Sequence, residues 1–165
     1  MTLTELNASD RQRFVAEIGW IFEHSLWVAE RAWNRRPFAS VDQLSGAMAA
    51  EVSAAGLDQQ LALLRAHPDL GTRVRMSEAS AGEQAGAGLD SLTSEEFARL
   101  QRLNAAYRQK FGFPFLFAVR GSTKHDVLEA LEARLPASVD EELAEALRQV
   151  FRIAQFRLQD TISSG

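Results

Sequence analysis

Cysteine is absent from this chain of 165 residues, and histidine occurs only three times. The lack of thiols excludes disulfide bonds, thiolate metal sites and a cysteine nucleophile. The three histidines are scattered, and no two of them lie at the helical spacing of a paired metal-binding motif. The sequence therefore predicts no metal site. It also lacks a phosphate-binding loop, a dinucleotide fingerprint and the signature of a serine nucleophile.

An excess of positive charge and a long apolar run are also missing. The formal net charge is −4, and no basic stripe with interleaved aromatic residues offsets it, which argues against a nucleic-acid partner. No apolar run approaches the length of a membrane span, and the first residues do not resemble a signal peptide. The last residues, Ser163-Ser164-Gly165, are not a peroxisomal signal. We expect a cytoplasmic protein that contacts neither nucleic acid nor membrane.

Helix signals dominate the chain. Capping-box spacings begin at Ser9, Ser40, Ser80, Thr93 and Ser138, and a looser one begins at Thr123. Apolar residues at helical spacing follow each of them. With no convincing strand pair, the pattern predicts an all-α fold: one domain over residues 1–165, built as a bundle of seven to eight helices.

One apolar stretch, residues 112–119, does not fit a helix. Gly112 and Pro114 interrupt the preceding helical pattern, and Phe113 to Val119 are almost all apolar. An extended apolar loop in a helical protein needs partners for its backbone N–H and C=O groups. It is either a packed connector between helices or a pocket wall that offers amides to a ligand.

His67 is the side chain best suited to proton transfer. It follows the apolar run of residues 61–66, and Pro68 disfavours helical backbone in the residue before it. The pattern therefore places His67 at a helix end beside a rigid turn. There it either caps the helix or acts as an acid or base near neutral pH.

A second polar group lies in the stretch from Gly71 to Gly88, which we predict to be the least regular part of the chain and which includes Arg73 and Arg75. Ser80 and Glu83 match a capping box, and capping alone accounts for their spacing. In the alternative interpretation, the helix start presents N–H groups, and Ser80, Glu83 and Gln84 line a polar pocket. Glu83 would then support the imidazolium of His67.

Seven segments together resemble the family of 2-oxo-4-hydroxy-4-carboxy-5-ureidoimidazoline (OHCU) decarboxylases. The most specific are His67-Pro68-Asp69-Leu70 and Lys-Phe-Gly-Phe-Pro-Phe at residues 110–115. The other segments are Phe-Glu-His-Ser-Leu-Trp at 22–27 with Arg36-Pro37-Phe38, Glu-Gln-Ala-Gly-Ala-Gly-Leu at 83–89, Leu-Asn-Ala-Ala-Tyr at 103–107 and Val-Arg-Gly at 119–121.

The resemblance implies a carboxy-lyase of urate breakdown, within purine metabolism, that yields S-allantoin without a cofactor. It implies that His67 is the catalytic acid or base and that Glu83 supports it. It also implies that an arginine of the last helix binds the substrate, with Arg157 as the better match and Arg152 as the alternative. The remaining implied substrate-binding residues are Pro68, Ser80, Ala81, Gly82, Gln84, Phe115, Leu116, Phe117, Ala118 and Val119.

The chemistry fits these residue types. Loss of carbon dioxide requires an adjacent electron acceptor, donors for a developing oxyanion, and a proton delivered to one face. The implied partner is a small ureidoimidazoline; the resemblance also favours a homodimer, with 5-hydroxyisourate hydrolase as the functional neighbour. Two other functions stay open: a non-catalytic all-α binding module, and a different ring-opening or hydrolytic enzyme of purine breakdown.

Overall fold

The computed structural model describes residues 1–72 and 76–163, and within them it contains nine α-helices and no strand beyond an isolated bridge between Thr2 and Ser163. The helices are α1 Leu3–Ala8, α2 Arg11–Ile18, α3 Trp27–Ala32, α4 Val41–Ala54, α5 Leu57–Arg65, α6 Glu78–Gly86, α7 Ser94–Phe111, α8 Lys124–Arg134 and α9 Val139–Thr161. The all-α class is confirmed. The helix beyond the expected seven or eight is α1, whose six residues are too few to leave a periodic signal.

Side-chain caps decide where most of these helices begin. Thr93 and Thr123 form complete capping boxes with Glu96 and Asp126, as the spacing predicted. Ser40 also caps its helix by accepting the N–H of Gln43. The predicted cap at Ser9 is wrong: the neighbouring Asp10 accepts the N–H of Arg13 and begins α2.

The chain divides into two compact units. The first holds residues 1–66 and the chain from residue 150 onward. Its core is made of apolar side chains from α2, α3, α4 and the end of α9, namely Phe14, Ile18, Val28, Leu44, Met48, Val52, Ala154 and Leu158. None of the helices among the described residues is both long and apolar enough to cross a membrane.

The second unit is His67–Gln149 and contains most of the residues singled out for chemistry. Tyr107 of α7 is fully buried in it, with its ring near those of Phe111, Phe113 and Phe115. The expectation of one domain over residues 1–165 stays a prediction. Of the predicted irregular stretch, Arg73, Val74 and Arg75 lie outside the described residues, and much of the rest is helix α6.

Candidate active site

The turn after α5 holds His67 where the sequence placed it. Helix α5 ends at Arg65, and the N–H of Ala66 closes its last turn on the carbonyl of Ala62. Pro68 then prevents the helix from continuing. His67 is only 7% exposed, so its imidazole is a buried group at the end of a helix. Such a group is shielded from bulk water, as a proton donor to a reacting carbon should be.

Three polar contacts fix this turn. The N–H of Gly71 donates to Oε1 of Gln84 at 2.8 Å, and Nδ2 of Asn104 donates to the carbonyl of Leu70 at 3.0 Å. At the surface, Arg108 pairs with Asp69 at 3.2 Å. Gly71 has φ +73°, and a Cβ atom there would lie 2.3 Å from a methyl group of Leu100. Only glycine fits this position, and the turn is held from both α6 and α7.

Helix α6 begins earlier than the sequence indicated. Its N-cap is Ser77, whose hydroxyl accepts the N–H of Ser80 at 3.1 Å. The predicted capping box of Ser80 with Glu83 is therefore wrong, because Ser80 already lies in the first helical turn. Glu83 stands in the middle of the helix and does not cap it. Capping of α6 therefore does not explain the position of Glu83.

One face of α6 carries the polar side chains of interest. Ser80 and Gln84, four residues apart, are both buried, and Glu83 is half-buried beside them. Ala81 and Gly82 lie on the exposed side of the helix. The bond from Gly71 fixes the orientation of the Gln84 amide. Because Oε1 accepts this bond, the NH2 group is the end of the amide that does not face Gly71.

The apolar loop between α7 and α8 is held by side chains rather than by a sheet. The carbonyl of Leu116 accepts from Arg134 at 2.6 Å, and the N–H of Ala118 donates to Oε1 of Gln149 at 2.9 Å. Residues 115–119 are buried apart from the half-buried Phe117. The loop thus packs like a connector while being fixed in place, as a pocket wall must be.

Helix α7 connects the turn with this loop. Asn104 bonds to Leu70, and Tyr107, one helical turn later, contacts the ring of Phe115 with 5.4 Å between centroids. Residues three apart on a helix are surface neighbours. The His67 turn, the buried face of α6 and the apolar loop therefore share one framework within the second unit.

Arg157 belongs to the first unit, in the last turns of α9. It is 4% exposed and donates to the carbonyl of Ile21 at 3.1 Å and to the carboxylate of Glu23 at 2.9 Å. The rival candidate Arg152 is exposed and lies near the ring of Phe156. Of the two, only Arg157 has a guanidinium with a fixed orientation.

Comparison with known proteins identifies the family of the chain. The family model described as OHCU decarboxylase matches residues 7–159.

The chain belongs to the OHCU decarboxylase family.

Named relatives of the chain span very different lengths. The OHCU decarboxylase of Haloferax volcanii is 48% identical over 99% of this chain and 98% of its own. The uric acid degradation bifunctional protein of Bacillus subtilis is 44% identical over 98% of this chain, which corresponds to 33% of that protein. A crystal structure of (S)-allantoin synthase superposes with a TM-score of 0.82 at 37% identity, covering 98% of this chain and 54% of that one.

Sequence reasoning missed the residues that hold this OHCU decarboxylase fold around its candidate site. They are Glu23, Asn104, Tyr107, Arg134, Glu142 and Gln149. Tyr107 donates to Glu142 at 2.6 Å, and Arg134 pairs with the same carboxylate. Burial, with help from Glu142, raises the pKa of Tyr107, so the phenol stays protonated. A signal did exist for Asn104, Tyr107 and Arg134: each lies three or four residues from a buried apolar position of its own helix.

Metal ligands are not grouped in the described part of the chain. Within residues 1–72 and 76–163, no three histidine or acidic side chains are close enough together to hold an ion. The groups that this family member brings together are a buried imidazole, hydroxyl and amide side chains, and backbone amides. These can move a proton and donate hydrogen bonds to oxygen atoms.

Proposed function

We propose that this chain decarboxylates OHCU to (S)-allantoin, with His67 as the acid or base and Glu83 in support. The observation that carries the proposal is the buried imidazole of His67. It lies in a turn whose Gly71 is bonded to Gln84 of α6, in a chain that matches OHCU decarboxylases along nearly its whole length. The chain is thus a carboxy-lyase acting on a small molecule.

The reaction needs a defined set of groups. The bond from the ring carbon to its carboxyl group breaks, and carbon dioxide leaves. The electron pair forms a double bond to the neighbouring ring carbon, and the electrons of that carbon's C=N bond pass to the ring nitrogen, which takes up a proton. The carbon that lost the carboxyl group keeps its hydroxyl, so the intermediate is an enol. A proton is then added to the neighbouring ring carbon from one side, which fixes the hand of the product, and the hydroxyl gives up its proton to leave a ring carbonyl. The protein must therefore exclude water, donate hydrogen bonds to the developing oxyanion, and deliver that proton.

His67 delivers the proton in this scheme. Its position after α5 is rigid, because Leu70 and Gly71 are bonded to α7 and α6. Glu83 lies on the same helix as Gln84 and half-buried, so its carboxylate can stabilise the imidazolium. The pair requires no cofactor to hold electrons, since the substrate's own double bond accepts them.

The substrate is held by side chains and backbone of the same unit. The proposed contacts are Pro68, Ser80, Ala81, Gly82, Gln84, Phe115, Leu116, Phe117, Ala118 and Val119. Gln84 offers its NH2 group, and the apolar loop covers the ring and offers amides. Ala81 and Gly82 lie on the exposed side of α6, so we assign them backbone contacts only.

Arg157 is proposed to grip an anionic or polar edge of the substrate. Its fork is oriented by Glu23 and Ile21, and a guanidinium matches a carboxylate with two parallel bonds. Arg157→Lys keeps the positive charge but removes the planar guanidinium with its paired N–H donors. We therefore expect KM to rise by roughly 10-fold or more; a 10-fold rise is equivalent to about 1.4 kcal/mol of binding free energy. Arg152→Lys, the exposed control, should be kinetically silent. Equal effects of the two variants would remove Arg157 from the site.

We also propose partners and a cellular location for the chain. The bifunctional relative joins a segment like this chain to further sequence, which favours a functional neighbour such as 5-hydroxyisourate hydrolase. A homodimer and a cytoplasmic location are retained as predictions from the sequence. Sedimentation of the purified chain over a range of concentrations tests the dimer; a monomer throughout would refute it.

The decisive test uses freshly generated OHCU, because this substrate decays by itself. Purified protein is added, and release of carbon dioxide and optical activity are followed together. We expect accelerated release with formation of (S)-allantoin alone. Racemic product at the rate of the protein-free reaction would favour a non-catalytic binding module. Ring opening without release of carbon dioxide would favour a hydrolytic enzyme.

A further inference from the structure

We propose that Gln149 is a positioning residue of the apolar loop: by holding the N–H of Ala118, it directs the amides of Phe117 and Val119 toward the substrate. This inference rests on the proposed function, because it assigns those amides to a substrate of the chain. Gln149 itself does not touch the substrate.

The bond between Gln149 and Ala118 is buried and well defined. It joins residues 31 positions apart with 2.9 Å between Oε1 and the amide nitrogen, and Gln149 is 7% exposed. Nε2 of Gln149 donates to Oε1 of Glu145 at 2.8 Å, which determines which end of the amide faces Ala118. Arg148 in turn donates to the other carboxylate oxygen of Glu145.

Glu145 is anionic, as this chain of bonds requires. Partial burial alone raises the pKa of Glu145, but the hydrogen bonds from Gln149 and Arg148 outweigh it and lower the pKa overall. A carboxylate accepts hydrogen bonds and cannot donate one. The Gln149 amide is therefore locked with its oxygen toward the loop.

Two anchors hold the same edge of the loop. Residues 114–119 form neither helix, turn nor bend. In extended backbone, the N–H and C=O of one residue point to one side and those of the next residue to the other. The carbonyl of Leu116 bonds to Arg134 and the N–H of Ala118, two residues later, bonds to Gln149, and these two bonds indicate such an alternation.

The opposite edge then carries the N–H groups of Phe117 and Val119. Neither donates a hydrogen bond to another described residue, although Val119 is buried. Buried backbone donors almost always have a partner in native proteins. A small molecule rich in carbonyl oxygens, such as a ureidoimidazoline, supplies two acceptors of the right kind.

The experiment compares variants of the full chain. Gln149→Met removes the acceptor at similar size. The double exchange Glu145→Gln with Gln149→Glu reverses donor and acceptor between the two residues and restores an oxygen toward Ala118. Glu141→Gln, on the exposed side of α9 and outside this chain of bonds, is the control. For each variant, kcat and KM on OHCU, thermal unfolding, and backbone amide NMR shifts with added (S)-allantoin are measured.

We expect Gln149→Met to lower kcat/KM by roughly 10²-fold, the effect of a misplacement of about 1 Å. The double exchange should recover most of the loss, and Glu141→Gln should behave as wild type. In the wild type, (S)-allantoin should shift the amides of Phe117 and Val119 more than that of Ala118. A folded Gln149→Met variant with normal kcat/KM, or a dominant shift at Ala118, would overturn the inference.

Failure of the proposed function gives a different result. In that case the wild type itself does not accelerate release of carbon dioxide, whatever residue stands at position 149. An active wild type with an unaffected Gln149→Met variant contradicts only the role of Gln149.

Discussion

His67 combines two properties that compete in most proteins: its side chain is an imidazole, which can carry a charge, and it is buried. Burying an imidazole costs folding free energy, because its charged form loses its contacts with water. Here the burial comes from a turn that Pro68 and Gly71 make rigid. A proton held at one position against a bound ring can be added to one face only, which a chiral product requires.

Replacing this imidazole should therefore separate catalysis from folding. We expect His67→Asn to lose accelerated decarboxylation while keeping a cooperative unfolding transition, because asparagine retains a polar side chain in the turn but cannot transfer a proton. His125→Asn is the matched control, since that side chain is 70% exposed. Kinetics and circular dichroism on both variants decide the matter. Substantial turnover in a folded His67→Asn variant would exclude His67 as the acid or base.

Glu83 can be tested more sharply because it does not cap α6. Glu83→Gln keeps the size of the side chain, so the free energy of unfolding should hardly change. Turnover should fall by roughly 10²–10⁴-fold, the usual value of acid–base assistance. The pH profile should also move toward acid, because a histidine that loses a negative neighbour has a lower pKa.

Glu78→Gln provides the comparison for that experiment. Glu78 is exposed in the first turn of the same helix, so its loss changes the charge of α6 without touching the buried face. Its turnover and pH profile should match the wild type. If Glu83→Gln behaves like Glu78→Gln, His67 acts without a carboxylate partner.

At the scale of elements, the sequence predicted what local physics decides. The caps at Ser40, Thr93 and Thr123 were readable because each hydroxyl bonds within its own first turn. The start of α6 was misplaced because Ser77 and Ser80 both fit the cap spacing, and a one-turn choice between them depends on what the helix packs against. Tertiary context overrides propensity in such cases.

The buried residues of the last helix, α9, were also predicted only in part. Apolar periodicity selects Leu143 and Leu147 as inward residues, but both are half-buried in the structure. Two polar residues of the same stretch, Glu142 and Gln149, are instead buried together with Ala146 and Val150. Their partners, Tyr107 and Ala118, lie more than 30 residues away in the chain. Hydrogen bonds between residues so far apart in the sequence leave no local pattern.

The contact between α7 and α8 predicts a pH dependence of stability. The hydrogen bond from Lys124, together with the Thr93 cap, lowers the pKa of Glu96 from 4.5 to about 2. A carboxyl group with a depressed folded-state pKa stabilises the fold above its unfolded pKa. That stabilisation is lost as pH falls from about 4.5 to about 2.

Lys124→Met should raise the pKa of Glu96 and weaken this dependence. Urea unfolding across that pH range should show a wild-type advantage at neutral pH that shrinks toward pH about 2. Arg102→Met, which removes one exposed cation of α7, controls for net charge. A constant difference between Lys124→Met and wild type at every pH would contradict the assignment.

At the scale of the molecule, composition and spacing were enough for the all-α class. Helical spacing of apolar residues recurs along the chain and needs no tertiary information. The second unit could not be assembled in this way. Its site depends on Gly71 meeting Gln84 and on Leu70 meeting Asn104. The motif resemblance supplied His67 and Glu83, while these supporting bonds became visible only in the folded chain.

The residues of the chain as a whole predict that turnover does not depend on a metal ion. The sequence contains no cysteine, and the described residues hold no group of three histidine or acidic side chains suited to an ion. The proposed steps use a proton from His67, hydrogen bonds from amides and the substrate's own double bond as electron acceptor. We therefore expect turnover to survive exhaustive chelation and dialysis, and added Mg²⁺ or Zn²⁺ to give no stimulation. Initial rates before chelation, after it and after each addition provide the measurement, with metal content determined in parallel. A loss restored by one divalent ion would show that a Lewis acid, and not amide hydrogen bonds alone, stabilises the oxyanion.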